Sequence, residues 1–152
     1  TSNGYVNVHL SANQLSTIVA QGDIGTNELT GDSESFDLNE KDVDGISGEV
    51  KFEERLDGSM LATITLDGTP DGGSHPAHIH ENSAAEGGDI LISFNPVDGT
   101  TGISETSIRL TDAGNAFNYQ LIKTIDAYVN VHLSADELST IVAQGDIGIN
   151  AE

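Results

Sequence analysis

Two consecutive segments, GEVKFEERL and SMLATITL, alternate apolar and polar residues with a period of two. Successive side chains of a strand point to opposite faces, so this alternation specifies half-buried strands. Val50, Phe52 and Leu56 share one face of the first, with Glu49, Lys51, Glu53 and Arg55 on the other; Met60, Ala62, Ile64 and Leu66 share a face of the second. Asp57-Gly58 between them is a hairpin signal. A two-residue loop would set the apolar faces on opposite sides. An odd loop, such as Asp57-Gly58-Ser59, places Leu56 opposite Met60 and joins them.

Further strands are expected at Ser35–Leu38, Ala77–His80, Asp89–Asn95, Thr106–Thr111 and Ala127–Leu133. Turn signals recur between them at Asp44-Gly45, Asp67-Gly68, Asp71-Gly72 and Asp98-Gly99. Short strands at this spacing predict an all-β chain, an antiparallel sandwich or Greek-key barrel. One or two short helices interrupt it. The first is expected around Asn115–Thr124, with Phe117, Leu121 and Ile125 on one stripe. The second is expected after Ser134, where SADE has the Ser-x-x-Glu spacing of a capping box.

The chain also repeats itself. Tyr5–Gly25 and Tyr128–Gly148 match at 19 of 21 positions, differing only at Asn13 against Asp136 and Gln14 against Glu137. The offset of 123 residues is the size of a domain, far above that of a solenoid repeat. Residues 1–25 are therefore expected to be the tail of a preceding repeat, and residues 26–152 one complete β-sandwich domain. The chain opens within a strand pattern, as a piece of a longer array would. The spare N-terminal strand is expected to pair with a sheet edge, in a neighbouring repeat or through self-association.

Charge narrows the partners. Twenty-five acidic residues face five basic ones, a formal net charge of −20. Such a surface repels phosphate backbones and anionic headgroups, which excludes nucleic acid, and it favours cations. No apolar run approaches the roughly 18–20 residues of a membrane span. There is no cysteine, hence no disulfide and no thiolate metal site.

All five histidines lie in two motifs: His75, His78 and His80 in SHPAHIH, and His9 and His132 in the two copies of YVNVHLS. Residues i and i+2 of a strand project together, so His78 and His80 share a face while Ile79 turns to the core. In the later YVNVHL, Val129, Val131 and Leu133 form the core face and Tyr128, Asn130 and His132 point outward. If the two strands are neighbours, three imidazoles converge. Neutral imidazole suits copper, zinc, nickel or iron, and three nitrogen ligands leave a position open. His75 precedes Pro76 and reads as a loop residue, at best an additional ligand. His9 and His132 compete for one slot beside the HPAHIH strand; His132 is preferred because it follows the pair. An acidic stretch, Asp37–Gly45, fails the EF-hand spacing, since Lys41 and Asp42 stand at its fifth and sixth positions. Glu81, Glu86 and Asp89, in the glycine-bearing loop after the His pair, are candidates to orient an imidazole. No nucleophile elbow, Walker loop or dinucleotide fingerprint is present.

The elements ISGEVKFEE, HPAHIHENSAAEGGDILISFNPVDG and YVNVHLSADEL…QGDIG, in that order from Ile46 to Gly148, resemble the CHRD domain family. The resemblance implies a sandwich like that of copper/zinc superoxide dismutase, tandem copies, and an extracellular, cell-surface or periplasmic location. It implies copper or zinc at His78, His80 and His132. It also implies departures. No histidine lies between Glu81 and Val131, so the dismutase's bridging and zinc-loop histidines have no counterpart, and no Arg or Lys follows His132. An extracellular metal-binding module is therefore expected ahead of a structural or adhesive repeat, and both ahead of a dismutase-like enzyme.

Overall fold

The computed structural model describes residues 2–151. Twelve strands and one short helix follow in order: β1 (Asn3–Ser11), β2 (Gln14–Gly25), β3 (Leu29–Glu40), β4 (Ser47–Arg55), β5 (Met60–Asp67), β6 (Ser74–His75), β7 (Ala77–Glu81), β8 (Ile90–Ser93), β9 (Val97–Asp98), β10 (Ile103–Ile108), α1 (Tyr119–Ile122), β11 (Asp126–Ser134) and β12 (Glu137–Gly148). Every pairing between them is antiparallel, as expected for a sandwich of the copper/zinc superoxide dismutase type.

Ten strands run in the order β6-β9-β10-β5-β4-β3-β12-β11-β7-β8. The join between β3 and β12 is only two residue pairs wide, Ala143 with Glu40 and Gln144 with Asn39. On one side of that join lie six strands and on the other four. The edge strand β6 and the far strand β7 are separated in the chain only by Pro76, so the sheet must curl until its two ends meet. The space so enclosed is the core. Val50, Phe52, Met60, Ile64, Ile79, Val129, Val131, Val142 and Ile147 are all fully buried there.

The β4–β5 hairpin shows how the pattern is realised. Phe52 pairs with Ala62 and Val50 with Ile64, so the loop is odd and the apolar faces join. The loop itself is Leu56-Asp57-Gly58, one residue earlier than the sequence suggests, closed by Arg55 N–H donating to Ser59 O. Gly58 supplies the left-handed φ of +80° that the turn requires. In consequence Leu56 leaves the apolar face and is exposed, while Arg55 turns inward.

The helix expected at Asn115–Thr124 is one turn, Tyr119–Ile122, capped by Asn118. The helix expected after Ser134 does not form. Ser134 pairs with Glu137 across a two-residue loop, and the chain continues as β12. The Ser-x-x-Glu spacing fits a tight hairpin as well as a helix start, and Ser139-Thr140-Ile141-Val142 favours the strand. The acidic Asp37–Gly45 stretch splits between the end of β3 and a loop tied to β12, where Asp42 accepts from Ile141 N–H.

Strands β1 and β2 form a separate two-stranded sheet. It has the same register as β11 and β12, down to the bulge at the histidine: His9 pairs with Ile18 as His132 pairs with Ile141. The duplicate makes an internal control. Val131 is fully buried, whereas Val8 is 50% exposed. Val131→Ala should destabilise the fold by about 2 kcal/mol, and Val8→Ala by less than about 0.5 kcal/mol. Urea unfolding of the two variants measures the difference.

Candidate metal centre

β11 pairs with β7 over five residues, including Tyr128 with His80 and Asn130 with His78. This pairing carries His78 and His80 to the strand that bears His132. The bulge at Val131/His132 then re-aims the last imidazole toward the pair. One ligand nitrogen from each of His78, His80 and His132 lies within 4.8 Å of the others, the sole grouping of its kind among the described residues. His78 Nδ1 and His132 Nε2 are 3.0 Å apart.

The face is not solvent-exposed, contrary to the sequence expectation. β11 is buried on both sides: Tyr128, Asn130 and His132 are each at most 7% exposed. The covering element is the loop between β7 and β8. Asn82 enters it with a left-handed φ of 68°, and its side-chain amide donates to Gly87 O. Ala84 N–H donates to Asp146, and Gly88 N–H to Tyr128 Oη. The His80 ring stacks on Tyr128, with centroids 5.0 Å apart.

Backbone carbonyls set the tautomers. His80 Nδ1 lies 3.1 Å from Gly88 O, and His132 Nδ1 lies 2.6 Å from Leu138 O. A carbonyl only accepts, so both Nδ1 atoms carry the proton and both Nε2 atoms present a lone pair. His80 Nε2 is buried with no hydrogen-bond partner among the described residues. An unpartnered buried acceptor costs free energy unless a cation or donor meets it. Tetrahedral zinc with nitrogen ligands at 2.0–2.1 Å has those nitrogens about 3.3 Å apart. The three donors fit such an ion after small side-chain rotations, and the carbonyl partners are the kind that orient ligating imidazoles.

The remaining sequence candidates fall elsewhere. His75 is not a loop residue: it ends β6 and is fully buried. Its Nδ1 donates to Leu133 O at 2.9 Å, and His132 N–H donates to Pro76 O at 2.8 Å, so His75 and Pro76 together grip β11 around His132. His75 and His9 lie outside the three-histidine group. The role foreseen for the carboxylates of Glu81, Glu86 and Asp89 is filled at His80 by the carbonyl of Gly88. Sequence reading missed that partner because a carbonyl carries no residue identity; Gly87-Gly88 was the available signal.

The environment disfavours the charged forms of His78 and His132. Burial, then the imidazoles of His132 and His80, holds His78 down at about 4 from the ordinary 6.5, with Asp112 opposing. Burial likewise lowers His132, against the hydrogen bond to Leu138 O.

No family model matches the chain. Over 60 residues it is 37% identical to a Candida albicans protein named cell surface Cu-Zn superoxide dismutase 4. The match covers 37% of this chain and 26% of that protein. This short likeness agrees with the all-β architecture in supporting a superoxide dismutase-like sandwich.

Two outcomes are expected. A Cβ at Gly88 would sit 2.0 Å from Glu81 O, so Gly88→Ala must displace the loop carbonyl from His80. Metal affinity, read by calorimetry, should fall roughly tenfold or more. In metal-free protein, proton-detected titration should place His78 near 4. The unfolded chain then takes that proton first, so the contribution of His78 to stability is present above pH 6.5 and lost as the pH falls toward 4. Melting midpoints across this window should fall less steeply in His78→Ala.

Proposed function

We propose that the chain is an extracellular metal-binding module of CHRD type. It holds one copper or zinc ion through His78 Nδ1, His80 Nε2 and His132 Nε2. The observation that carries this reading is the donor set itself: three buried or half-buried imidazoles converge, two have tautomers fixed by carbonyls, and one nitrogen is orphaned. All-nitrogen donors favour copper or zinc over calcium or magnesium. The three leave a fourth position for water or a ligand.

The similar Candida protein is by name a superoxide dismutase of the cell surface. The surface location suits a chain of net charge −20. Dismutase activity fits less well, because that charge repels an anionic substrate. Among the described residues there is also no second cluster of metal-ligating side chains for a two-metal centre.

Calorimetric titration of copper(II) and zinc(II) into metal-free protein tests the reading. One equivalent should bind, and His78→Ala with His80→Ala should abolish it. A saturating ion should raise the melting midpoint, by about 2.7 kcal/mol of added stability at one hundred times Kd. No saturable binding by the intact protein would leave the structural-repeat reading in its place.

A further inference from the structure

The chain has two nearly identical hairpins and one slot that receives them. β11–β12 fills the slot between β7 and β3. β1–β2 keeps the same internal register but, among the described residues, pairs with no other strand. Its apolar residues are the ones the slot buries. Val6, Val8, Val19 and Ile24 are 49–55% exposed, while their counterparts Val129, Val131, Val142 and Ile147 are fully buried.

Two polar contacts made inside the hairpin also differ between the copies. In the docked copy, Asn130 Oδ1 accepts from Gln144 and His132 Nδ1 donates to Leu138 O. In the free copy, Asn7 Oδ1 and His9 Nδ1 have no partner. The free hairpin therefore carries, in its exposed apolar residues, an unused surface of the kind that the slot buries.

A second copy of this chain offers no vacant slot, since exchanging hairpins between two copies frees as many as it covers. The geometry points to another occupant: the body of a preceding domain of this same type, whose His-x-His strand stands ready for β1. We propose that β1–β2 closes that domain, with His9 completing its three-histidine site. The ligand role of His9 rests on the metal reading above; the docking of the hairpin does not.

The hairpin would also be the joint between the two domains. Its Asp23 Oδ2 pairs with the buried Arg55 of the body at 3.1 Å. The matching Asp146 uses its other oxygen, Oδ1, for Ala84 N–H. One carboxylate can serve both partners at once, so docking into the first domain leaves the tie to the second in place.

The test sets one further body ahead of the chain by fusing residues 26–127 to residues 5–152. The Tyr5–Gly25 hairpin then follows a His-x-His strand at the same distance as Tyr128–Gly148 does. Asn13 and Gln14 distinguish its peptides by mass in hydrogen exchange. Compared with the 152-residue chain, this hairpin should exchange roughly tenfold or more slowly in the longer one. Zinc(II) should bind at two equivalents, falling to one with His9→Ala. Unchanged exchange in the longer chain overturns the docking, whatever the zinc count. Slowed exchange with two equivalents that survive His9→Ala overturns the role of His9. Slowed exchange with no zinc bound by either chain upholds the docking and overturns the metal reading.

Discussion

β11 lies between β7 and β12, with the aliphatic core beneath it and a polar layer above it. Val129 and Val131 face down into the core, and Tyr128, Asn130 and His132 face up under the β7–β8 loop. A strand buried on both faces has no freedom of register, because a slip of one residue would put valine in the polar layer and histidine in the core. The positions of all three histidines follow from that constraint. β7 is held by the same ladder, and Ile79 is pinned beneath it.

The polar layer is ordered by backbone groups. Gly88 O, Leu138 O, Leu133 O and Pro76 O each meet an imidazole N–H or the amide of His132. Each of these partners is a main-chain carbonyl, although the protein has twenty-five acidic side chains. The imidazoles are shielded by neutral dipoles, and burial together with neighbouring imidazoles depresses His78 and His132. Neutral imidazole is the form that coordinates a metal.

Much of the architecture was legible in the alternation of residues. Val50, Phe52, Met60, Ala62 and Ile64 lie where a period of two places them, and the odd loop of the β4–β5 hairpin follows from joining their faces. Leu56 was misplaced because Arg55 turns inward to Asp23 and Ser107, partners far away in the chain. Ser134 was misread because one spacing serves two structures, and the strand preference of the following residues decides between them. The convergence of His78, His80 and His132 was legible as a shared polar face. Its burial was not, because the covering loop acts through main-chain atoms that every residue possesses.

His78 and His132 meet at 3.0 Å across 54 residues of chain, in a protein without cysteine. An ion coordinated by both would bind only the folded chain, where the two imidazoles meet, and so would stabilise it in proportion to the free ion concentration rather than permanently as a disulfide does. The ligand pair would thus be a reversible cross-link, one that forms only after the long intervening segment has folded and that a chelator can open without any change of redox state.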